Sequence, residues 1–177
     1  LDALSLVKQG LLPGRVAVNL SPMQFHRPNF LATLRQILEE TGLPPEHLEL
    51  ELTEGILMRD TEGAIDTLNA LSGMGVSTAI DDFGTGFSSF SYLRELPVDK
   101  IKIDKSFVDN VTTNEKDAAV CKGVIALARE LDLKMIAEGV ETEEQYRYLV
   151  DSGCTGFQGY YFAKPMALED LIMWLEE

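Results

Sequence analysis

The chain has 177 residues, with 15 Lys and Arg against 29 Asp and Glu, for a formal net charge of −14. That length suits one domain with a real core, and 45% hydrophobic with 25% charged residues excludes wholesale disorder. No apolar run reaches the roughly 18 residues a membrane-spanning helix needs, no signal-peptide pattern opens the chain, and the acid surplus argues against a duplex nucleic-acid binder but leaves room for an anionic ligand held through a divalent cation.

In chain order, Asp2–Gln9 predicts a helix and Val16–Leu20 a short strand. Phe30–Thr41 carries Leu31, Leu34, Ile37 and Leu38 at helical spacing and stops at Gly42, a C-terminal signal. Leu48–Leu52 alternates strictly, with three leucines on one face and Glu49 and Glu51 on the other. A helix follows, with Thr61 as its expected N-cap and Ile65, Leu68 and Leu71 as its stripe. Val76–Ile80 predicts a strand, then a Gly-rich turn and a short helix around Ser91–Leu96. Lys100–Asp104 alternates again, and Lys116–Leu131 presents Cys121, Val124, Ile125, Ala128 and Leu131 as a helical stripe. A strand at Lys134–Ala137, a helix opened by the capping-box spacing Thr142-Glu-Glu-Gln145, a strand near Gly156–Tyr161 and a helix with Leu168, Leu171, Ile172 and Leu175 complete the chain.

Strand–helix repetition means parallel strands joined by right-handed crossovers, an α/β fold. A sheet covered by helices on both faces would show near-continuous apolar strands. Leu48–Leu52 and Lys100–Asp104 are instead apolar on one face and charged on the other, which predicts a TIM-like (βα) barrel with a polar interior. At roughly 31 residues per unit, the length fits about six strands, the number identified.

Polar groups fall at or near the carboxyl ends of those six strands: Asn19, Glu51, Asp81, Lys102, Glu138 and Gln158, in order. Barrel active sites are built at that end. Two carboxylates about 4 Å apart repel by roughly 4 kcal/mol at an effective dielectric near 20, so Glu51, Asp81, Asp82 and Glu138 converging on one mouth need more counter-charge than Lys102 alone. One or two hard divalent cations with oxygen ligands would supply it, with Asn19 offering a neutral carbonyl. No His or Cys lies near a strand end, which disfavours zinc. Asp81 and Asp82 can share a site only where the strand gives way to a turn, and Phe83-Gly-Thr-Gly86 permits one. Cys121 and Cys154 predict two reduced, buried thiols in a cytosolic protein. Trp174 is expected to pack in the helix layer and Tyr160-Tyr161-Phe162 to be core plus rim.

The strings Val18-Asn-Leu-Ser21 with Gln24-Phe25, Glu51-Leu-Thr-Glu54, Asp81-Asp-Phe-Gly-Thr-Gly86, Lys102-Ile-Asp-Lys-Ser-Phe107, Ala137-Glu-Gly-Val-Glu141 and Gln158-Gly-Tyr160 occur in this order. Together they resemble the EAL-domain cyclic-di-GMP phosphodiesterases of bacteria, from about Val16 to Pro165. The resemblance implies hydrolysis of one phosphodiester of cyclic-di-GMP to linear pGpG, with two Mg²⁺ or Mn²⁺ ions, on a modified TIM barrel with one antiparallel strand. It implies Asn19, Glu51 and Asp81 as ligands of the first metal, Asp81 bridging to the second with Asp82, and Lys102 orienting or activating the attacking water. Glu138 would be a base or hold that water through the second metal, while Glu54, Gln158 and Glu141 would support the substrate or the loop after Asp82. Cyclic-di-GMP, a possible homodimer, and sensor or GGDEF-type domains in a parent protein are the implied partners, in a cytoplasmic setting.

The Glu-Ala-Leu signature of that family does not occur in the chain, which opens on Leu1 rather than Met. The expectation is one EAL-type domain over residues 1–177, truncated at its N-terminus and lacking the signature glutamate that would be a further metal ligand. An alternative is therefore an inactive EAL-like receptor or regulatory module. A third reading, an enolase-type barrel with Mg²⁺ and a lysine base, draws on Lys100-Ile-Lys102, but there the lysines precede the carboxylate strands and here they follow two of them.

Overall fold

The structure, a computed structural model, describes residues 2–12, 14–85 and 93–176. It contains one six-stranded sheet in the order β1-β2-β3-β4-β5-β6, curled into a half-barrel with helices on its outside. The strands are β1 (Val16–Asn19), β2 (Leu48–Thr53), β3 (Ser77–Phe83), β4 (Lys100–Ile103), β5 (Lys134–Glu138) and β6 (Phe157–Gln158). All of the described strand pairs are parallel, so the implied antiparallel strand is not among them.

The helices are α1 (Asp2–Lys8), α2 (Pro22–Phe25), α3 (Phe30–Thr41), α4 (Glu54–Met58), α5 (Thr61–Gly73), α6 (Lys105–Val108), α7 (Glu115–Glu130), α8 (Glu143–Asp151) and α9 (Leu168–Glu176). Helix α3 ends as expected, with Gly42 left-handed at φ 70° and its N–H donating to the Leu38 carbonyl. Helix α8 opens on the reciprocal Thr142–Gln145 capping box. The cap of α5 is Asp60, whose carboxylate accepts from the Gly63 N–H. Thr61 is instead the first helical residue, because the neighbouring aspartate supplies the better-placed acceptor. The short helix expected around Ser91–Leu96 lies partly outside the described residues.

Along each central strand one set of side chains faces the helices and the other faces the barrel interior. The outward set, including Leu48, Leu50, Leu52, Ile80, Ile101 and Ile103, joins Leu68 and Leu71 of α5 and Val124, Ile125 and Ala128 of α7 in one core. The inward set is polar, yet Glu49, Glu51 and Lys102 are also buried. β2 is thus buried on both faces, and its alternation separates apolar neighbours from ionic ones rather than core from solvent. Strand β6 is shorter than predicted. The chain turns at Gly159, where an added Cβ would lie 2.1 Å from the Val140 carbonyl oxygen, a backbone approach that requires glycine.

Two expectations of packing change. Trp174 is half exposed, and Tyr160, Tyr161 and Phe162 are all exposed. Tyr161 and Phe162 pack against each other and against Tyr146 at the β6 edge, forming a rim rather than a core. Cys121 and Cys154 are free and buried, and burial pushes the Cys121 thiol up to about 12. Among the described residues no helix is long and apolar enough to cross a membrane.

Candidate metal and active site

The site lies at the carboxyl ends of the strands and is built around one lysine. Lys102, in β4, is 3% exposed. Its Nζ lies 2.7 Å from Glu51 Oε1 on β2, 3.0 Å from Asp81 Oδ1 on β3 and 2.7 Å from Glu138 Oε1 on β5. Four adjacent strands thus direct one ammonium and three carboxylates into the same small volume. Burial alone would lower the lysine's pKa, but Glu138, Glu51 and Asp81 together outweigh it and hold the ammonium well above its ordinary range.

The backbone of β3 explains how neighbouring aspartates share the mouth. Its pairing with β4 shifts register between Ile80 and Phe83, and Asp82 adopts a left-handed φ of 53°. The bulge breaks the alternation and turns both carboxylates to one side. Oxygens of Asp81, Asp82 and Glu138 all lie within 4.8 Å of one another. Burial, with Asp81 and Asp104 nearby, raises the Asp82 carboxyl. Burial also raises Glu138, Lys102 pulls it partly back, and Asp81 and Glu51 push it further up.

These residues fit a hard divalent cation. The donor set is all oxygen, carboxylates are crowded within contact range, and buried Asp81 Oδ1 has no hydrogen-bond partner. Its 3.0 Å approach to Lys102 is an ion pair without hydrogen-bond geometry. A buried acceptor left in that state is costly, and a divalent cation would satisfy it.

The remaining sequence candidates occupy the surroundings. Asn19, exposed, ends the edge strand β1 opposite Glu51 in register. Gln158, also exposed, lies opposite Glu138 on the other edge strand, β6. Glu54 opens α4, and its buried Oε2 is without a partner. Glu141 pairs with Lys105 on an exposed surface, and its N–H donates to Gln145 Oε1 at 2.8 Å.

Two participants were not foreseen. Asp104, N-cap of α6, accepts from the Ser106 N–H, and its negative charge helps raise the Asp82 carboxyl. It is visible in sequence only as the aspartate of Lys102-Ile-Asp104. Deeper in the interior, the half-buried Lys100 places its Nζ 2.7 Å from Oε1 of the buried Glu49, a second, part-buried ion pair. The equal i, i+2 spacing of Glu49/Glu51 and Lys100/Lys102 was its available signal.

A six-stranded parallel half-barrel with a carboxylate mouth around a buried lysine belongs to the TIM-like class. Comparison with known proteins gives the family. The EAL domain model matches residues 2–165, and this chain belongs to the EAL domain family. It is 44% identical over 157 residues to the bifunctional diguanylate cyclase/cyclic di-GMP phosphodiesterase MucR of Pseudomonas aeruginosa, over 89% of this chain and 23% of that protein. The structure matches the MucR phosphodiesterase in complex with c-di-GMP at a TM-score of 0.91 and 42% identity, over 96% of this chain and 69% of that one. A manganese and c-di-GMP complex of Klebsiella pneumoniae BlrP1 matches at a TM-score of 0.81 and 33% identity, over 93% of this chain and 42% of that one. The chain spans about a fifth of the length of the curated relatives it matches.

Proposed function

We propose that the chain is the greater part of one EAL-type domain that hydrolyses cyclic-di-GMP to linear pGpG with Mg²⁺ or Mn²⁺. The observation that carries this reading is the cage of Glu51, Asp81 and Glu138 around Lys102, with Asp82 turned into the same mouth. The c-di-GMP-bound relatives support the substrate, and the manganese complex of one of them supports the cation.

Asp81, Asp82 and Glu138 would hold metal, with Glu51 and Asn19 completing the set from β2 and β1. A divalent cation there supplies Lewis-acid polarisation of a phosphoryl oxygen and a hydroxide-like nucleophile near neutral pH. Lys102, kept protonated by its carboxylates, is a poor general base. It donates hydrogen bonds instead, orienting the attacking water and offsetting charge on the phosphate. Glu138, whose carboxyl is raised by burial, is the better base. Gln158, Glu54 and Glu141 would support substrate and loop from the rim. Sensor or GGDEF-type domains would accompany the chain in a longer protein, and a homodimer is one assembly that the resemblance implies. The two free buried thiols support a reducing, cytoplasmic setting.

The test is to incubate the 177-residue chain with cyclic-di-GMP and Mg²⁺ or Mn²⁺ and to resolve the products by anion-exchange chromatography. We expect pGpG from the native chain and at least about a hundredfold less from Asp81→Asn/Asp82→Asn. Undiminished turnover by that variant would end the metal-site reading. Calorimetric binding of cyclic-di-GMP with no pGpG formed would instead make the chain a receptor.

A further inference from the structure

Two reciprocal capping boxes in this chain differ in reach. Gln24 of α2 is exposed, and its side-chain oxygen pairs with Ser21, three residues back. Gln145 of α8 is 6% exposed and reaches further. Its Oε1 accepts from the N–H groups of Glu141 and Thr142, at 2.8 and 3.0 Å, and its Nε2 donates to the Asp109 carbonyl at 3.3 Å. Capping α8 requires only the bond to Thr142. The bond to Asp109 crosses 36 residues of chain and ties the loop after β5 to the end of α6.

Those two segments follow the neighbouring strands whose ends carry Lys102 and Glu138, and α6 itself packs against β5. Asp104 caps α6 two residues after Lys102, and the loop Gly139–Glu141 follows Glu138 directly. Every residue of that loop is held. Gly139, left-handed at φ 71°, lies against the Lys105 stem, which an added Cβ would strike. Val140 is fully buried; its N–H donates to the Gln158 carbonyl and its carbonyl accepts from the Tyr161 N–H, each at 3.0 Å. Glu141 is held through its backbone by Gln145 and through its side chain by Lys105. The Lys105 pair is exposed and therefore weak. Gln145 is buried, where water competes less for its bonds.

We propose that Gln145 is a positioning residue for Glu138: by bridging the Gly139–Glu141 loop to the end of α6, it holds the Glu138 carboxylate beside Lys102 and at the metal mouth. A cation that engages Glu138 pulls on this carboxylate, and the backbone that carries it has to resist. The inference rests on the metal-carboxylate reading of the site and deepens it by explaining why one capping glutamine is buried and bridged. It assigns Gln145 no contact with substrate or metal.

The test uses two substitutions that separate bridging from capping. Gln145→Glu keeps an acceptor for both N–H groups and remains a capping-box residue, but its ionised carboxylate has no proton to donate to the Asp109 carbonyl. Thr142→Ala removes the hydroxyl that accepts from the Gln145 N–H and leaves the bridge in place. The first readouts need no turnover: the Lys102–Glu138 separation in crystals of the metal-free chain, and calorimetric affinity for Mn²⁺ alone. Gln145→Glu should lengthen the 2.7 Å contact beyond hydrogen-bond reach and weaken Mn²⁺ binding by roughly tenfold, the lower end for a partner that orients a metal ligand. Thr142→Ala should change neither, although its denaturation midpoint should fall. The second readout is steady-state hydrolysis of cyclic-di-GMP at saturating Mg²⁺. For Gln145→Glu, kcat should fall by about 10- to 100-fold with KM little changed, while Thr142→Ala keeps the native kcat.

Gln145→Met removes cap and bridge together. It covers the case in which Gln145→Glu does not fold, and it should show the same losses at least as strongly. A native Lys102–Glu138 contact or native Mn²⁺ affinity in the Gln145 variants would overturn the proposal. So would an equal kcat loss in Thr142→Ala, since the loss would then follow the stability of α8 rather than the bridge. If the native chain binds Mn²⁺ but forms no pGpG, the proposed reaction fails, and the crystals and the Mn²⁺ affinities still judge Gln145. If it binds no Mn²⁺ either, the metal reading fails as well, and the Lys102–Glu138 contact alone decides.

Discussion

The central strands and the edge strands of this sheet put similar residues to different use. In β2 through β4, Leu52, Ile101 and Ile103 are fully buried and the ionic groups between them are held by opposite charges on neighbouring strands. In β1, Val18 is 45% exposed and Asn19 faces solvent; β6 has only two residues, and Gln158 is exposed. The difference is one of neighbours. A strand with a partner on each side and helices outside holds its inward side chains in place, whereas an edge strand displays them. Lys102, Asp81 and Glu138 therefore form the packed centre of the candidate site, while Asn19 and Gln158 lie at its margins.

The largest effect should come from emptying that centre. Lys102→Met leaves three crowded carboxylates without their counter-ion. Breaking a buried pair by removing one partner costs about 3–5 kcal/mol, and urea unfolding of the metal-free chain should show a loss of that order. Saturating Mg²⁺ should restore much of it, because the cation takes over the lysine's role. A loss below about 1 kcal/mol, the level of an exposed pair, would mean that the cage is not a coupled unit.

The apolar face gives a second, smaller contrast. Leu52→Ala removes a side chain with no exposure in the middle of the core and should cost about 2–5 kcal/mol. Val18→Ala on β1, 45% exposed, should stay within about 0.5 kcal/mol. Equal destabilisation in denaturant melts would show that β1 is covered as fully as β2.

This contrast also separates what could be seen in the sequence from what could not. Leu48–Leu52 and Lys100–Asp104 show period-two alternation because their inward face is ionic, and that was enough to argue for a barrel over a doubly wound sheet. Gly42 and the Thr142–Gln145 box marked helix ends because their caps depend on residues close in the chain. Helices α2, α4 and α6 span about one turn each, too short for a 3.6-residue period to register, although Ser21 and Gln24 form the box of α2. The site residues were found one strand at a time from their positions at strand ends. Their pairing was not, because Lys102 meets Glu51 across an intervening strand, and that depends on the register of both ladders. Asp81 and Asp82 were expected to share the mouth because the strand ended at Ile80 and gave way to a turn; β3 instead continues to Phe83, and a register shift within it brings them together. The influence of Asp104 on Asp82 was not expected, since it acts between two strand ends.

The smallest effect tests the electrostatics of the centre through pH. Burial raises the Glu138 carboxyl in the folded chain, so the folded state binds that proton more tightly than the unfolded state does. The sign follows from linkage. Below the ordinary glutamate value both states are protonated, and the stability tied to the proton is fully present. As pH rises from there through the folded value, that contribution is lost. Glu138→Gln mimics the neutral form and has no such loss. The metal-free native chain should therefore fall in stability relative to Glu138→Gln across the window that starts near the ordinary glutamate value and ends at the raised one. Lys102 does not interfere, because its own raised value keeps its contribution intact until well into the alkaline range. With Mg²⁺ the comparison should reverse, since a cation favours the ionised carboxylate. Chemical denaturation of both proteins across that window, with and without Mg²⁺, measures the two slopes. Parallel curves without metal would show that Lys102, rather than burial, governs Glu138, and the proton-accepting role assigned to it would lose its physical basis.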